Sequence, residues 1–374
     1  MNKLFQAFCI LFIIGLISES YSIPRFALRM GGKCIDCHVN PSGGALRNTG
    51  GWKFGKNNLA MMSSNNENFK MSNMIGENIS YGLDLRGQFL VRTSDSTTQS
   101  DFQRMAASVY TGLDLSEEIS LLVRYDFIQR VYEGYAVARI LPNDGYIKGG
   151  TFSPNFGIKM DDHTAYTRAG DFGLLFATGG RQGLIFTPDY VESGVEAGIF
   201  ISEFAFLTAS VGNPRRELFA TDPSYTASLQ LTPSIGENVN LMLGGSFSNF
   251  KDKNFTTGGY NNVNMYAGFL GFGVSGISLL GEYVTAKDYV VAESVTTALM
   301  VEASYRIIKG LEFVARYDRF DPSDKLTKDE LSRIILGFEI FPYSFIEIRP
   351  QYRIQMENPD VTNNSVVIQT HIYY

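Results

Sequence analysis

From Ile79 to Tyr374 apolar and polar residues alternate along long runs, and this period of two restricts the chain to strands whose two faces meet different surroundings. In Ile79, Tyr81, Leu83, Leu85, Gly87, Phe89 and Val91 one face is apolar, while Ser80, Asp84, Arg86, Gln88 and Arg92 form the other. The pattern is cleaner where Ile346, Ile348, Pro350, Tyr352, Ile354 and Met356 interleave with Glu347, Arg349, Gln351, Arg353 and Gln355. Similar alternation runs through Ile119 to Val131 and Leu311 to Phe320. Each run exceeds the roughly 5–6 residues of an ordinary strand and suits the roughly 9–11 of a tilted membrane strand.

A soluble sandwich also alternates, because one face packs on a core. Charges at every second position along so many strands would leave that core thin. In a membrane barrel the same charges face the lumen and the apolar face meets lipid. About sixteen such segments follow one another, matching the even counts of bacterial barrels. Turn signals separate them at Pro142-Asn143-Asp144-Gly145, Asn213-Pro214, Asn254 to Gly259, Lys309-Gly310 and Pro342-Tyr343. Closing the sheet removes the exposed edges that such strands would otherwise present.

Composition agrees. There are 37 glycines, 28 phenylalanines and 20 tyrosines against one tryptophan, Trp52. Beyond the N-terminal apolar stretch no run of about 18 apolar residues occurs, so helical spans are not expected. The terminal Ile372-Tyr373-Tyr374 looks like the sorting signal of outer-membrane barrels. The expected fold is therefore all-β: a transmembrane antiparallel β-barrel of about 16 strands over 79–374, in the outer membrane of a Gram-negative-type bacterium. On its last strand Ile368, Thr370, Ile372 and Tyr374 are expected to face lipid, leaving His371 to the lumen.

Ahead of the barrel, residues 1–22 read as a Sec-type signal peptide: Lys3, an apolar run from Phe8 to Ile17, then Ser20 and Ser22. Cys9 goes with it, leaving Cys34 and Cys37 in the mature chain. These belong to Cys34-Ile35-Asp36-Cys37-His38 within a segment spanning 23–60, which a linker, 61–78, joins to the barrel. A C-x-x-C-H run reads as a c-type haem attachment site. The two thiols add across the haem vinyls and His38 ligates the iron, giving one covalently attached haem c. A redox dithiol would sit beside a βαβ pattern, and a zinc site would need further ligands; neither is present. At this length the segment cannot bury a haem alone, and the barrel wall is expected to supply the missing half. For the distal axial position the candidates are His163, His371, Met61 and Met62, with Met71 and Met74 nearby. An open sixth position would instead point to a haem enzyme.

Charge is unevenly divided. Arg25, Arg29, Lys33, Arg47, Lys53 and Lys56 against Asp36 give the haem segment +5; the whole chain carries −6 and the signal nothing, so the rest carries −11. A basic segment beside an acidic barrel is expected to dock in or against it.

Phe26-Ala-Leu-Arg-Met-Gly-Gly-Lys-Cys-Ile-Asp-Cys-His38, followed by Gly51-Trp-Lys-Phe-Gly55, resembles the fused cytochrome–porins of bacterial outer membranes. The resemblance implies a monohaem cytochrome joined to a porin-like barrel, with haem held at Cys34, Cys37 and His38. It implies electron transfer between an extracellular donor or acceptor, ferrous iron in the best-known members, and a periplasmic c-type cytochrome. Expected partners are these and outer-membrane lipid, with no nucleic acid. A looser likeness links Gly149 to Gly157 with phosphate-selective porins, although an acidic barrel repels anions. The alternative reading is a solute or ion porin with an accessory haem tether.

Overall fold

A computed structural model describes residues 24–44, 46–62, 72–93, 97–160, 162–168, 170, 183–214, 222–236, 238–254, 257–289, 291–358, 360 and 363–374. The signal segment, Met71 and part of the linker lie outside them. The sheet holds 18 strands. Two, Met74–Ile75 and Ser234–Ile235, are two residues each. The other sixteen are β1 (Ile79–Thr93), β2 (Thr98–Asp114), β3 (Ile119–Asp126), β4 (Val131–Leu141), β5 (Gly145–Phe152), β6 (Glu192–Ser202), β7 (Ala205–Pro214), β8 (Ser224–Leu231), β9 (Val239–Lys253), β10 (Tyr260–Val274), β11 (Ile277–Lys287), β12 (Val295–Ile308), β13 (Leu311–Asp321), β14 (Leu331–Tyr343), β15 (Ile346–Glu357) and β16 (Ser365–Tyr373). Each pairs antiparallel with the next, and β16 closes the cylinder on β1 from Ser365↔Arg92 to Tyr373↔Asp84.

The polarity is that of a membrane barrel. Leu85, Val195, Leu270, Leu336, Val366 and Ile368 stand exposed on the outer wall, while Asp84, Glu196, Glu282, Asp318, Arg333 and Arg353 are buried inside. A closed antiparallel cylinder with an apolar belt and a charged bore is an outer-membrane β-barrel. Short turns lie at the end where the chain enters β1, the longer loops at the other; by this layout the first is periplasmic and the second extracellular.

Two boundaries differ from expectation. The run Ile119 to Val131 is not one crossing: β3 stops at Asp126, and β4 starts at Val131. Asp126 causes the break, since its Oδ1 accepts the backbone N–H groups of Ile128 (2.8 Å) and Gln129 (2.7 Å). Alternation continues through a turn that a carboxylate builds. Pro342-Tyr343 ends β14 rather than forming the turn, which falls at 344–345. The Pro142-Asn143-Asp144-Gly145 turn forms as expected, with Asn143 and Asp144 at φ 55° and 57°.

Candidate functional site

Two inserts enter the bore from opposite ends. The first carries the C-x-x-C-H run. Helix α1 (Pro24–Met30) leads into a tight 3-10 turn at Cys34–Asp36, and α2 (Thr49–Phe54) follows. The turn brings the backbone N–H of His38 to the Cys34 carbonyl at 3.0 Å. Asn48 organises both pieces. Its Nδ2 donates to the carbonyls of Ile35 (2.7 Å) and His38 (3.3 Å), and its Oδ1 caps α2 at the Gly51 N–H (3.1 Å). The cap on Gly51 is local, but nothing in the local sequence marks Asn48 as the hub, because its two carbonyl partners lie ten or more residues away.

Charge docks this insert. Arg25 forms a bidentate pair with Glu339 on β14 and lies 3.6 Å from Glu302 on β12. Arg29 meets Glu312 on β13 at 2.5 Å. Burial disfavours the Arg25 cation, but Glu339, Glu302 and Glu312 overcome it and hold its pKa above the ordinary value. The basic segment thus seats against wall carboxylates, as the charge division implied. Wall glycines receive its leucines: a Cβ at Gly271 would lie 2.6 Å from a Leu28 methyl, and Cβ atoms at Gly82 and Gly112 would lie 2.9 and 2.8 Å from those of Leu46. These glycines permit close approach rather than an unusual backbone.

The second insert is formed by the described residues of the connection 153–191 between β5 and β6, which turn inward. Its Gly157 N–H donates to Ser246 Oγ (2.9 Å) on β9, and its Ile158 N–H donates to Glu282 (2.9 Å) on β11. Arg316 on β13 grips Asp162 at 2.5 Å, and Arg124 on β3 grips Asp189 at 2.8 Å. Burial opposes ionisation of Asp162, yet Arg316 and Arg349 hold its carboxyl well below the usual range. At Asp189 burial is likewise outweighed, here by His163 and Arg124, and the carboxyl is lowered. Phe156, Tyr166, Leu184, Ile185, Phe186 and Tyr190 bury themselves against β9 to β13 inside the bore.

Between the inserts lies a cavity of about 300 Å³, the lower bound of ordinary ligand pockets. Cys34, His38, Lys159 and Met160 line it. Cys37 is buried on the same turn. Gly43, at φ +88°, lies so close over Cys34 that a Cβ there would stand 3.1 Å from its Sγ. Two thiols and an imidazole on one turn, beside a partly apolar cavity with Arg47 and Lys159 at its edge, fit a covalently attached haem. Burial, reinforced by Lys148, lowers Lys159 to about 8.

The distal candidates scatter. His371 faces the bore and lines the cavity, but its Nε2 lies 3.2 Å from Asp84 and its Nδ1 3.1 Å from Glu347. Nδ1 is thereby hydrogen-bonded to Glu347, and Nε2 is turned toward the Asp84 carboxylate. His163 is buried in the inward loop with Nδ1 3.3 Å from Asp189, away from the cavity wall that His38 forms. Met61 and Met62 lie exposed at the periplasmic rim, their N–H groups bonded to the Phe341 (2.8 Å) and Pro342 (3.1 Å) carbonyls. Of the four, His371 shares the cavity with His38, whereas His163, Met61 and Met62 do not line it. Tyr374 also departs from expectation. It lies beyond the last ladder residue, and its ring turns onto Trp52 (5.0 Å, edge-on) rather than facing lipid. Met160 and Lys159 escaped the sequence reading because loop residues carry no periodicity to say which way they point.

No protein-family model matches the chain, and no curated protein matches it. Solved structures do. OprB of Pseudomonas putida aligns at 9% identity with a TM-score of 0.61, covering 79% of this chain and 94% of its own. OmpF of Salmonella typhi aligns at 10% and 0.57, covering 79% and 98%. The outer membrane channel DcaP of Acinetobacter baumannii aligns at 12% and 0.54, covering 79% and 97%. At these identities the likeness is one of fold: the chain is built as a porin-type outer-membrane barrel.

Proposed function

We propose that this barrel carries one covalent haem c in its bore, at Cys34, Cys37 and His38, and exchanges electrons across the outer membrane. Its partners are an extracellular donor or acceptor, ferrous iron being one the sequence resemblance suggests, and a periplasmic c-type cytochrome. The observation that carries the reading is the placement of the C-x-x-C-H turn inside the bore, with Cys34 and His38 on a cavity. The hydrocarbon core is about 30 Å thick, so a redox group serves both sides only from within the barrel. A bound haem supplies a one-electron couple there. The chain's own residues do the rest. Arg25 and Arg29 fix the segment to the wall, and the inward loop screens the site from the outer side. Arg47 and Lys159 offer cations to its propionates.

A second reading is a solute or ion porin whose haem is accessory. The likeness to solved porins supports it better than it supports electron transfer, since that likeness covers nearly all of those chains and says nothing of haem. The two inserts weigh against it, because their described residues line the cavity within the bore and occupy space there that a solute would need. Under the electron-transfer reading, a membrane-impermeant external reductant changes the haem spectrum of whole cells, and a Cys34→Ala/Cys37→Ala variant loses that response. Under the porin reading, the purified protein passes ions freely in planar bilayers, and solute uptake survives the double substitution. Free conductance together with no haem response in the wild type would sink the proposal.

A further inference from the structure

We propose that Met160, on the inward loop, supplies the second axial ligand to the iron, from the side of the bore opposite His38. The assignment rests on the haem reading above. Its basis is the set of histidine, lysine and methionine side chains on the cavity wall. His371 is held between two carboxylates. The Lys159 ammonium donates to the Ser153 carbonyl at 3.3 Å. Met242 is sealed in a wall cluster at 4% exposure. Met160 remains: it lines the cavity and only edges onto the cluster of Leu28, Ile158, Met242, Phe269, Leu280 and Met300.

Position adds a second, independent argument. The residue after His38, Val39, packs with Leu122, Tyr135 and Tyr146 on β3, β4 and β5, and Arg139 on β4 donates to its carbonyl at 3.2 Å. Together with Leu28 of α1 and Ile158 of the loop, the cluster beside Met160 takes its wall members, Met242, Phe269, Leu280 and Met300, from β9, β10, β11 and β12. In a ring of sixteen strands these are facing walls. A planar macrocycle presents its two axial positions to opposite sides, so an imidazole from one wall and a thioether from the other stand in the required relation. The loop is also pinned on both sides of Met160: Gly157 and Ile158 bond to the wall before it, and Asp162 pairs with Arg316 after it. A ligand fixed in this way needs little ordering when it binds. Thioether ligation raises a haem's reduction potential.

The test uses the full-length protein purified with its haem, beside Met160→Leu, which keeps side-chain volume, and Met160→His. Met–Fe(III) ligation gives a weak far-red sulfur-to-iron charge-transfer band. The wild type should show it. Met160→Leu should lose it, lower the reduction potential and open a site that takes up added imidazole. Met160→His should stay low-spin without the band. A haem-loaded wild type lacking the band, or a Met160→Leu variant retaining it, overturns the Met160 assignment and leaves the haem reading standing. A correctly exported chain with no covalent haem overturns the haem reading itself, and the assignment with it.

Discussion

The two inserts that meet in the bore are fastened by opposite chemistry. The N-terminal segment brings the cations, Arg25 and Arg29, and the wall supplies the carboxylates Glu302, Glu312 and Glu339. In the inward loop the polarity is largely reversed: Asp162 and Asp189 come from the insert, Arg316 and Arg124 from the wall. The loop further buries a block of aromatics against β9 to β13, whereas the N-terminal segment contributes only small groups around Phe26, Leu28, Leu46 and Leu59. Buried ion pairs are costly to desolvate and strongly destabilising when one partner is removed, whereas a block of aromatics adds apolar burial to which each side chain contributes separately. The loop is therefore built as part of the barrel. The N-terminal segment is built as a docked piece whose hold depends on two arginines.

The largest effect should come from breaking that hold. Arg25→Ala with Arg29→Ala leaves Glu339 to Arg349 at 3.5 Å and Glu312 to Arg306 at 3.8 Å, at up to about 3–5 kcal/mol for each broken pair. The barrel should still form, since its ladders do not use either arginine. The segment should leave its seat, making 24–62 protease-sensitive and raising single-channel conductance in bilayers. Unchanged protection and conductance would show that the apolar groups alone suffice. Exchanging the partners, Arg25→Glu with Glu339→Arg, sharpens the comparison: recovered protection would assign the hold to this pair.

Seen from the sequence, these two inserts were unequally legible. The barrel could be read because period-two alternation is a local property, and one strand such as Leu311–Asp321 displays both its faces in eleven residues. The docking of 23–60 was also foreshadowed, because the charge imbalance needs no geometry to be noticed. The inward loop was not. Phe156, Tyr166 and Phe186 have no period that distinguishes a loop folded into a bore from one that stands in solvent. Asn48 and Asp126 act through backbone groups, so their roles appear only when the chain is folded. Glu302, Glu312 and Glu339 acquire their docking role only with α1 laid beside them.

A second, smaller effect separates the inserts by pH. The carboxyls of Asp162 and Asp189 sit below their ordinary values in the folded protein. Their contribution to loop anchoring is thus fully present above the unfolded carboxylate range of about 3.9 and is lost as pH falls through the depressed folded values. The loop should stay seated at mildly acidic pH and loosen only in stronger acid, read as loss of near-ultraviolet circular dichroism from its buried tyrosines. Asp189→Asn removes one charge-assisted hydrogen bond set, worth about 1.5–3 kcal/mol. It should shift that acid transition toward neutral pH. A transition already complete near neutrality in the wild type would contradict the lowered carboxyls.

The smallest predicted change tests whether shape, as well as charge, seats the N-terminal segment. At Gly271→Ala the new methyl would lie 2.6 Å from Leu28 Cδ1, a side chain itself buried in the cluster of Met242, Phe269 and Leu280. Leu28 is flexible at its tip but confined, so α1 must move slightly or the leucine must leave its rotamer, at about 1 kcal/mol. Neither Arg25 nor Arg29 is touched. If charge alone holds the segment, Gly271→Ala leaves proteolysis of 24–62 unchanged. If wall glycines form its seat, cleavage should rise about fivefold, the factor that about 1 kcal/mol allows when opening precedes cleavage. Leu28→Ala in the same background should then reverse the increase in part, because it removes the clash along with the contact, whereas an additive loss in the double variant would assign Gly271 to strand stability instead.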